Sequence, residues 1–276
     1  VPQRSVWALM LVSVMAWGYI DAAHLKSSTR SFIYTTRSIF GNAWSGLSLR
    51  VLAPGELENF FDRRISEIKK RSPFPKMEGT VDIYSFDQSG LIASGNSWNP
   101  RPVFQSYSAY TPELAEKNKR HLAGESGPDS VIFKIQPIDG RLPALEDGAS
   151  WPILLSNYEP ASFSNSHLVL KKGRAAKFSL DKAEILQQRE YSFGEKINLP
   201  ETDGAIYAKI HLKKTFLGEV LNLIYKPSEL KIRFVMEGGV EREYRMIANM
   251  ADSGFVVSPL VEATEEFGLL FAGPGV

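Results

Sequence analysis

The run Val6–Ile20, VWALMLVSVMAWGYI, carries no charged residue; Arg4 precedes it and Asp21 follows it. An α-helix of that length reaches ~22 Å, against a bilayer hydrocarbon core of ~30 Å. The run reads as a membrane helix, short or clipped; a secretory signal and a buried core helix are the alternatives. Trp7, Trp17 and Tyr19 lie near its ends, where interfacial aromatic residues are enriched. Arg4 stands on one side, and Lys26, Arg30 and Arg37 stand on the other. A long following domain crosses a membrane regardless of such charges, so the orientation is not legible. The first residue is Val, and the expectation is a piece of a longer protein with a membrane region upstream.

The remaining chain has the apolar content of a globular protein and, at 276 residues, length for two modest domains or one large one. Its formal net charge of +1 supplies no basic stripe, which argues against a general nucleic-acid binder. No cysteine is present, so disulfides, thiolate metal sites and cysteine nucleophiles are excluded. His24, His121, His167 and His211 are dispersed, and no HExxH or HxH spacing occurs. GxSxG, P-loop and GxGxxG motifs are also missing, so no cofactor is expected.

Four segments are expected: a membrane helix or signal-like segment over 1–25, a connector over 26–53, an α/β domain over 54–173, and a β-sandwich-like domain over 174–276. In the connector, Phe32, Tyr34, Ile39, Phe40 and Trp44 mix with Ser and Thr. This predicts an extended, partly strand-like stretch, or a surface lying against the membrane. Over 54–71, Leu57, Phe60, Phe61, Ile65 and Ile68 fall on one helical face. Glu56 and Glu58 open that helix and Lys69, Lys70 and Arg71 close it, which complements its dipole. Strands are predicted over 79–86, 103–107, 130–136 and 167–171, with a short element at 91–93. Helices are predicted from Thr111-Pro112-Glu113 to Gly124 and from Ser150 through Leu155. Strands alternating with helices imply an α/β layer with some parallel pairing.

Beyond Gly173 the texture is mostly β. Ile206–Leu212 and Leu230–Met236 alternate apolar with polar residues, and Thr215–Tyr225 carries a helical stripe. The turn Glu237-Gly238-Gly239 has an odd length. It pairs Met236 with Val240, Phe234 with Arg242 and Arg233 with Glu243, keeping more apolar residues on one face. Segments 254–259 and 267–272 read as closing strands. The expected fold is α+β / α/β: a membrane-helix remnant, an α/β layer, and an antiparallel sandwich of jelly-roll type.

Two polar clusters are candidate sites. The first is Trp98, Asn99, Arg101, Gln105, Tyr107 and Tyr110, with Asn118 nearby. Aromatic rings stack on sugar faces, and amides and guanidinium groups bond hydroxyls or anions. Arg101 stands between prolines on a stiff backbone suited to bidentate carboxylate or phosphate recognition. Helix amides after Thr111 are free to hold an anion. The same residues also suit pinning an irregular loop. The second cluster is Asp139, Arg141, Glu146 and Asp147. Paired carboxylates serve acid–base hydrolysis at suitable separation, whereas Asp139-Gly140-Arg141 is equally a turn composition.

The stretches TVDIYSFDQSGLIASGNSWNPRPVFQSYSAYTPELAEKN, DSVIFKIQPIDGRLPALEDGASWPILL and SGFVVSPLV resemble the C-terminal region of uncharacterised bacterial multipass membrane proteins. The likeness covers residues ~55–272. The layout, membrane helices followed by an α/β extracytoplasmic domain, is similar to membrane glycosyltransferases that use lipid-linked sugars. Their catalytic carboxylates lie in loops near early membrane helices, so no catalytic residue carries over. The resemblance leaves the family's own function open; the favoured reading is a non-catalytic extracytoplasmic domain of a bacterial cell-membrane protein, one that handles envelope glycan or lipid-linked sugar. A free-standing carbohydrate-binding module and a hydrolase using Asp139 with Glu146 or Asp147 are the alternatives.

Overall fold

The computed structural model describes residues 3–25, 29–84, 86–178, 183–213, 215, 218 and 229–272. It divides into two units, residues 1–67 and 68–276. The first is helical. Helix α1 (Gln3–Ile20) runs into a π-turn over Asp21–Leu25. The apolar, helical stretch Arg4–His24 has 21 residues, all exposed across its most apolar window. At 1.5 Å per residue it reaches ~32 Å, so helix beyond the uncharged run makes up the length that the run lacks. It is the one helix among the described residues long and apolar enough to cross a membrane.

The expected extended connector is instead a helix, α2 (Thr29–Leu52). Its Ser and Thr residues are weak helix formers, but apolar residues recur at three- and four-residue spacing and no proline interrupts them until Pro54. Helix α3 (Pro54–Arg71) has the predicted bounds and charge order.

The second unit is built on a five-stranded sheet of order β2-β1-β3-β5-β4. Its strands are β1 (Thr80–Tyr84), β2 (Ser97–Trp98), β3 (Ser130–Phe133), β4 (Tyr158–Ser164) and β5 (His167–Lys172). The β1 pairings with β2 and β3 are parallel, joined by crossovers carrying α4 (Gln88–Ala93) and α5 (Pro112–Ala123). Strands β5 and β4 then add antiparallel. In α5, Thr111 caps as predicted: its hydroxyl accepts the Leu114 N–H. Helix α6 (Trp151–Asn157) starts at Ser150, although that hydroxyl makes no cap bond.

The predicted strand over 103–107 is not formed. Val103 is tied by both its N–H and its carbonyl to the Asn118 side chain, and Ser106–Ser108 is a 3₁₀ turn. A residue whose backbone is satisfied by a side-chain amide has no ladder to join.

The C-terminal half supplies the expected antiparallel strands as two ribbons. Strand β6 (Ile206–Ala208) pairs with β9 (Phe255–Ser258), and β7 (Leu230–Val235) pairs with β8 (Glu241–Met246). The three-residue turn sets the register foreseen: Arg233 faces Glu243, Phe234 faces Arg242, and Met236 N–H bonds Val240 O at 2.8 Å. Gly238 (φ +83°) and Gly239 (φ +80°) supply the left-handed backbone that it needs. Helix α7 (Ala248–Ser253) leads into β9. The predicted strand at 267–272 is overturned: Thr264–Leu269 is a helix, α8. The Glu266 carboxylate accepts the Glu262 and Ala263 N–H groups at 2.6 and 3.0 Å and so caps its start. The stripe at Thr215–Tyr225 lies outside the described residues, apart from Thr215 and Gly218.

Sheet alternation sorts the core. Val81, Ile83 and Ile132 join Leu91 on one face. Tyr84, Val131, Phe133, Leu168 and Leu170 face the larger core with Trp151, Met250, Phe255 and Phe267. The boundary expected at 173–174 falls within this unit, and the larger core draws residues from both sides of it. Phe133 stacks on Phe267 at 4.0 Å, which ties α8 to the sheet. At the seam of the two halves, a Cβ on Gly254 (φ +95°) would stand 2.3 Å from Tyr207 Oη, and one on Gly148 would stand 2.4 Å from Gly254 O.

Gly254→Ala is therefore expected to cost about 3 kcal/mol or more, from backbone strain plus overpacking. Gly238→Ala, which shares a positive φ but meets open space, is expected to cost only about 1–2 kcal/mol. Denaturant melts of both variants check the contrast.

Candidate functional site

The organising feature is an acidic residue in an otherwise apolar strand. Asp82 sits in β1 between Val81 and Ile83, fully buried, and strand alternation turns it toward the face of Tyr84. A buried carboxylate needs a partner, since its uncompensated desolvation costs several kcal/mol. Arg101 supplies it: Nε donates to Asp82 Oδ2 at 2.7 Å. Arg101 Nη1 donates to Asp147 Oδ2 at 2.8 Å, and Nη2 donates to the Ile83 carbonyl at 3.1 Å. The guanidinium carbon stands 4.2 Å from the centre of the Tyr84 ring. Asn118, on α5, donates to the same Asp147 oxygen at 2.9 Å.

This network clamps β1, the 99–110 loop, α5 and the 139–150 loop. Asp147 adopts φ +55° to present its carboxylate inward. Burial pushes its pKa up to about 6, with Arg101 and Asn118 pulling the other way. Charges on Asp82 and Asp147 raise that of Arg101 against its own desolvation.

The candidate ligand residues therefore divide. Arg101 is 1% exposed and wholly engaged within the protein, so its bidentate geometry serves internal carboxylates. Trp98 is half-buried and its Nε1 reaches Asp82 Oδ1 at 3.4 Å. Asn99 donates to the Ser126 carbonyl at 2.8 Å. Gln105 is half-buried at the start of the 3₁₀ turn. These residues pin an irregular loop. Tyr107 is half-buried with its ring against Phe86, while Tyr110, like Phe86 and Phe104, is more than 40% exposed.

The second cluster also divides. Ile138-Asp139-Gly140-Arg141 is a tight turn, closed by Arg141 N–H to Ile138 O at 3.1 Å, with positive φ at both central residues. Exposed Asp139 pairs with Arg245 at 3.3 Å. Arg141 is buried, donating to Tyr107 O at 2.9 Å and to Tyr110 Oη at 3.0 Å. Glu146 is 6% exposed; Oε1 accepts the Ile138 N–H at 3.1 Å, and Arg141 Nη1 lies 3.9 Å away. Burial pushes its pKa up to about 7.

Glu146 lines a small cleft with Tyr84, Ser106, Tyr107, Lys134 and Gln136. Its cavity volume is about 20 Å³, room for about one water molecule and not for a sugar ring. Gln136 Oε1 is buried there without a hydrogen-bond donor among the described residues. Tyr84 Oη donates to the Glu146 carbonyl at 2.5 Å and accepts the Trp151 indole N–H at 3.0 Å, closing the cleft floor. A carboxylate-dependent hydrolase needs two carboxylates acting on one bond. Here Glu146 faces the cleft, whereas its neighbour Asp147 is held by Arg101 and Asn118. No group of three or more His, Asp or Glu residues is placed to hold a metal among the described residues.

Asp82, Tyr84, Lys134 and Gln136 were missed as site residues. For Asp82 the signal was present: one acid inside TVDIY. Lys134 and Gln136 follow an apolar strand and read as its polar edge.

In comparisons with known proteins, no family model matches the chain, and no curated protein and no solved structure matches it.

Two outcomes follow from this geometry. Arg101→Met leaves Asp82 buried and unpaired and is expected to destabilise the second unit by about 3–5 kcal/mol. Gln105→Ala is expected to stay within about 0.5 kcal/mol, both read by thermal and urea melts. Glu146 and Asp147 bind protons more tightly folded than unfolded. Their contribution is thus most favourable below the ordinary carboxylate range and is lost as pH rises through about 6 to about 7. Glu146→Gln should flatten that decline, by on the order of 2 kcal/mol between about pH 5 and pH 7.5.

Proposed function

We propose that this chain is a non-catalytic domain held at a bacterial cell membrane, with the second unit on the extracytoplasmic side, where it binds envelope glycan or lipid-linked sugar. The observation that carries the anchoring is the 21-residue helical stretch Arg4–His24, apolar and exposed to its surroundings. No described residue covers its most apolar window, and a hydrocarbon medium satisfies such a surface.

The non-catalytic reading is supported by the candidate carboxylates. Asp147 neutralises Arg101, Asp139 pairs at the surface, and Glu146 has only a water-sized cleft before it. The glycan reading is supported by the partly exposed rings of Phe86, Phe104 and Tyr110, which offer apolar bodies for sugar C–H faces. The extracytoplasmic side rests on the layout that the chain resembles.

The test uses the absence of native cysteines. Glu125→Cys, at an exposed position, is expected to react with a membrane-impermeant maleimide in intact cells. Reaction only after permeabilisation places the second unit inside and removes the extracytoplasmic reading. For the ligand, full-chain protein in nanodiscs is titrated with soluble cell-wall oligosaccharides and with polyprenyl-phosphate-linked sugars. Phe86→Ala is expected to weaken binding about fivefold to tenfold with little change in melting temperature, since that ring is exposed and makes only an edge contact with Tyr107. If neither sugar class binds at about millimolar concentration, a range in which weak contacts still register, the glycan reading falls and the anchor stands.

A further inference from the structure

Helix α2 presents an apolar face that no described residue covers. Phe32, Ile33, Ile39, Phe40, Trp44, Leu47 and Val51 are each 50% or more exposed. At 100° per residue they fall with Ala43 and a polar residue, Thr36, on one arc roughly 140° wide. The rest of the surface is weakly polar: Thr35, Ser38, Gly41, Asn42, Ser45, Gly46 and Ser48 occupy it, with Tyr34, Leu49 and Leu52 interspersed. Arg37 borders the apolar arc beside Trp44. Arg50 falls on the arc two residues from the helix end, where its long stem lets the charge reach outward.

The charge is one-sided. Residues 29–52 contain Arg30, Arg37 and Arg50 and no acidic residue. Helix α3 differs in charge: its apolar face is the more sharply segregated of the two, and Glu56, Glu58, Asp62 and Glu67 balance its basic residues. Bulky apolar and aromatic side chains on one arc, with cations and no anions, fit a helix lying in the plane of an anionic lipid interface. Such a helix buries its apolar arc at the headgroup–acyl boundary and leaves Ser, Thr and Gly toward water. The position in the chain agrees, because only residues 21–28 separate α2 from the candidate membrane helix α1.

We propose that α2 is an interfacial helix that docks on the surface of an anionic bilayer through the Phe32–Val51 arc, held there by its arginines. This rests on the membrane anchoring proposed for α1 and adds a second, lipid-selective contact. Two such signals hold a chain to a membrane far more firmly than either one alone.

Site-directed spin labelling of the full chain tests it, since every label site is the chain's sole cysteine. The protein is reconstituted in vesicles of phosphatidylcholine with or without phosphatidylglycerol. Labels at Ile33→Cys, Phe40→Cys and Leu47→Cys report the apolar arc, and labels at Ser38→Cys and Ser45→Cys report the opposite side. Val12→Cys reports α1 separately. With phosphatidylglycerol, oxygen accessibility is expected to be high on the arc and low opposite, repeating with helical period. In phosphatidylcholine alone the contrast is expected to shrink. Neutralising Arg37 or Arg50 to Gln should lower the ratio of membrane-lying to water-exposed α2 about fivefold each.

Depth that rises toward the middle of α2 on both faces means a crossing helix and overturns the proposal. A water-exposed arc, or one shielded by spin–spin contact with a second copy, overturns it too. If Val12→Cys reports water while the arc reports lipid, the α1 reading fails and the α2 proposal stands.

Discussion

The second unit depends on one buried ion-pair network. Asp82 lies in the interior of a parallel strand, where Val or Ile would pack at no electrostatic cost. Its charge obliges the chain to bring Arg101 inside, and Arg101 in turn draws in Asp147. Because these residues come from β1, the loop after β2 and the loop before α6, satisfying one carboxylate fixes three segments at once. Asn118 adds α5 through its bonds to Val103 and Asp147. A network of this kind is weak as net stability and strong as geometry: any other arrangement leaves a charge buried alone. Here it takes up polar residues that composition would suggest for ligand binding.

The same packing explains why two adjacent carboxylates differ. Asp147, at positive φ, turns into the network, while Glu146 stays at the cleft with Ile138 N–H and Arg141 as neighbours. Both are raised by burial, yet each has a different counter-charge. The cleft that Glu146 shares with Gln136 and Lys134 is water-sized, so the exposed surface of the unit, with Phe86, Phe104 and Tyr110, is where a larger molecule has room.

The first unit follows a different logic. Its helices hold their apolar residues outward, an arrangement that water disfavours and a bilayer rewards. Sustained apolarity with no charge from Val6 to Ile20 distinguishes α1, whereas an exposed apolar arc and unbalanced arginines distinguish α2.

Local chemistry in the chain was enough to determine the elements whose cues lie within a few residues. The bounds of α3, the Thr111 cap, the turn at Asp139-Gly140 and the register around Gly238-Gly239 are of this kind. Each depends on backbone preference, a neighbouring side chain, or the parity of a short loop. Tertiary structure alone decided the rest. Segment 267–272 reads as a closing strand, but its first half ends helix α8 and the rest is turn, with Phe267 packed against Phe133 and Trp151. Residues 103–107 lose their strand because Asn118, from α5, takes Val103's backbone bonds. Arg101 reads as a ligand residue until Asp82 and Asp147 are seen on either side of it. Partners 19 and 46 residues away leave no local trace, since a buried charge finds its counter-charge in space and not along the chain.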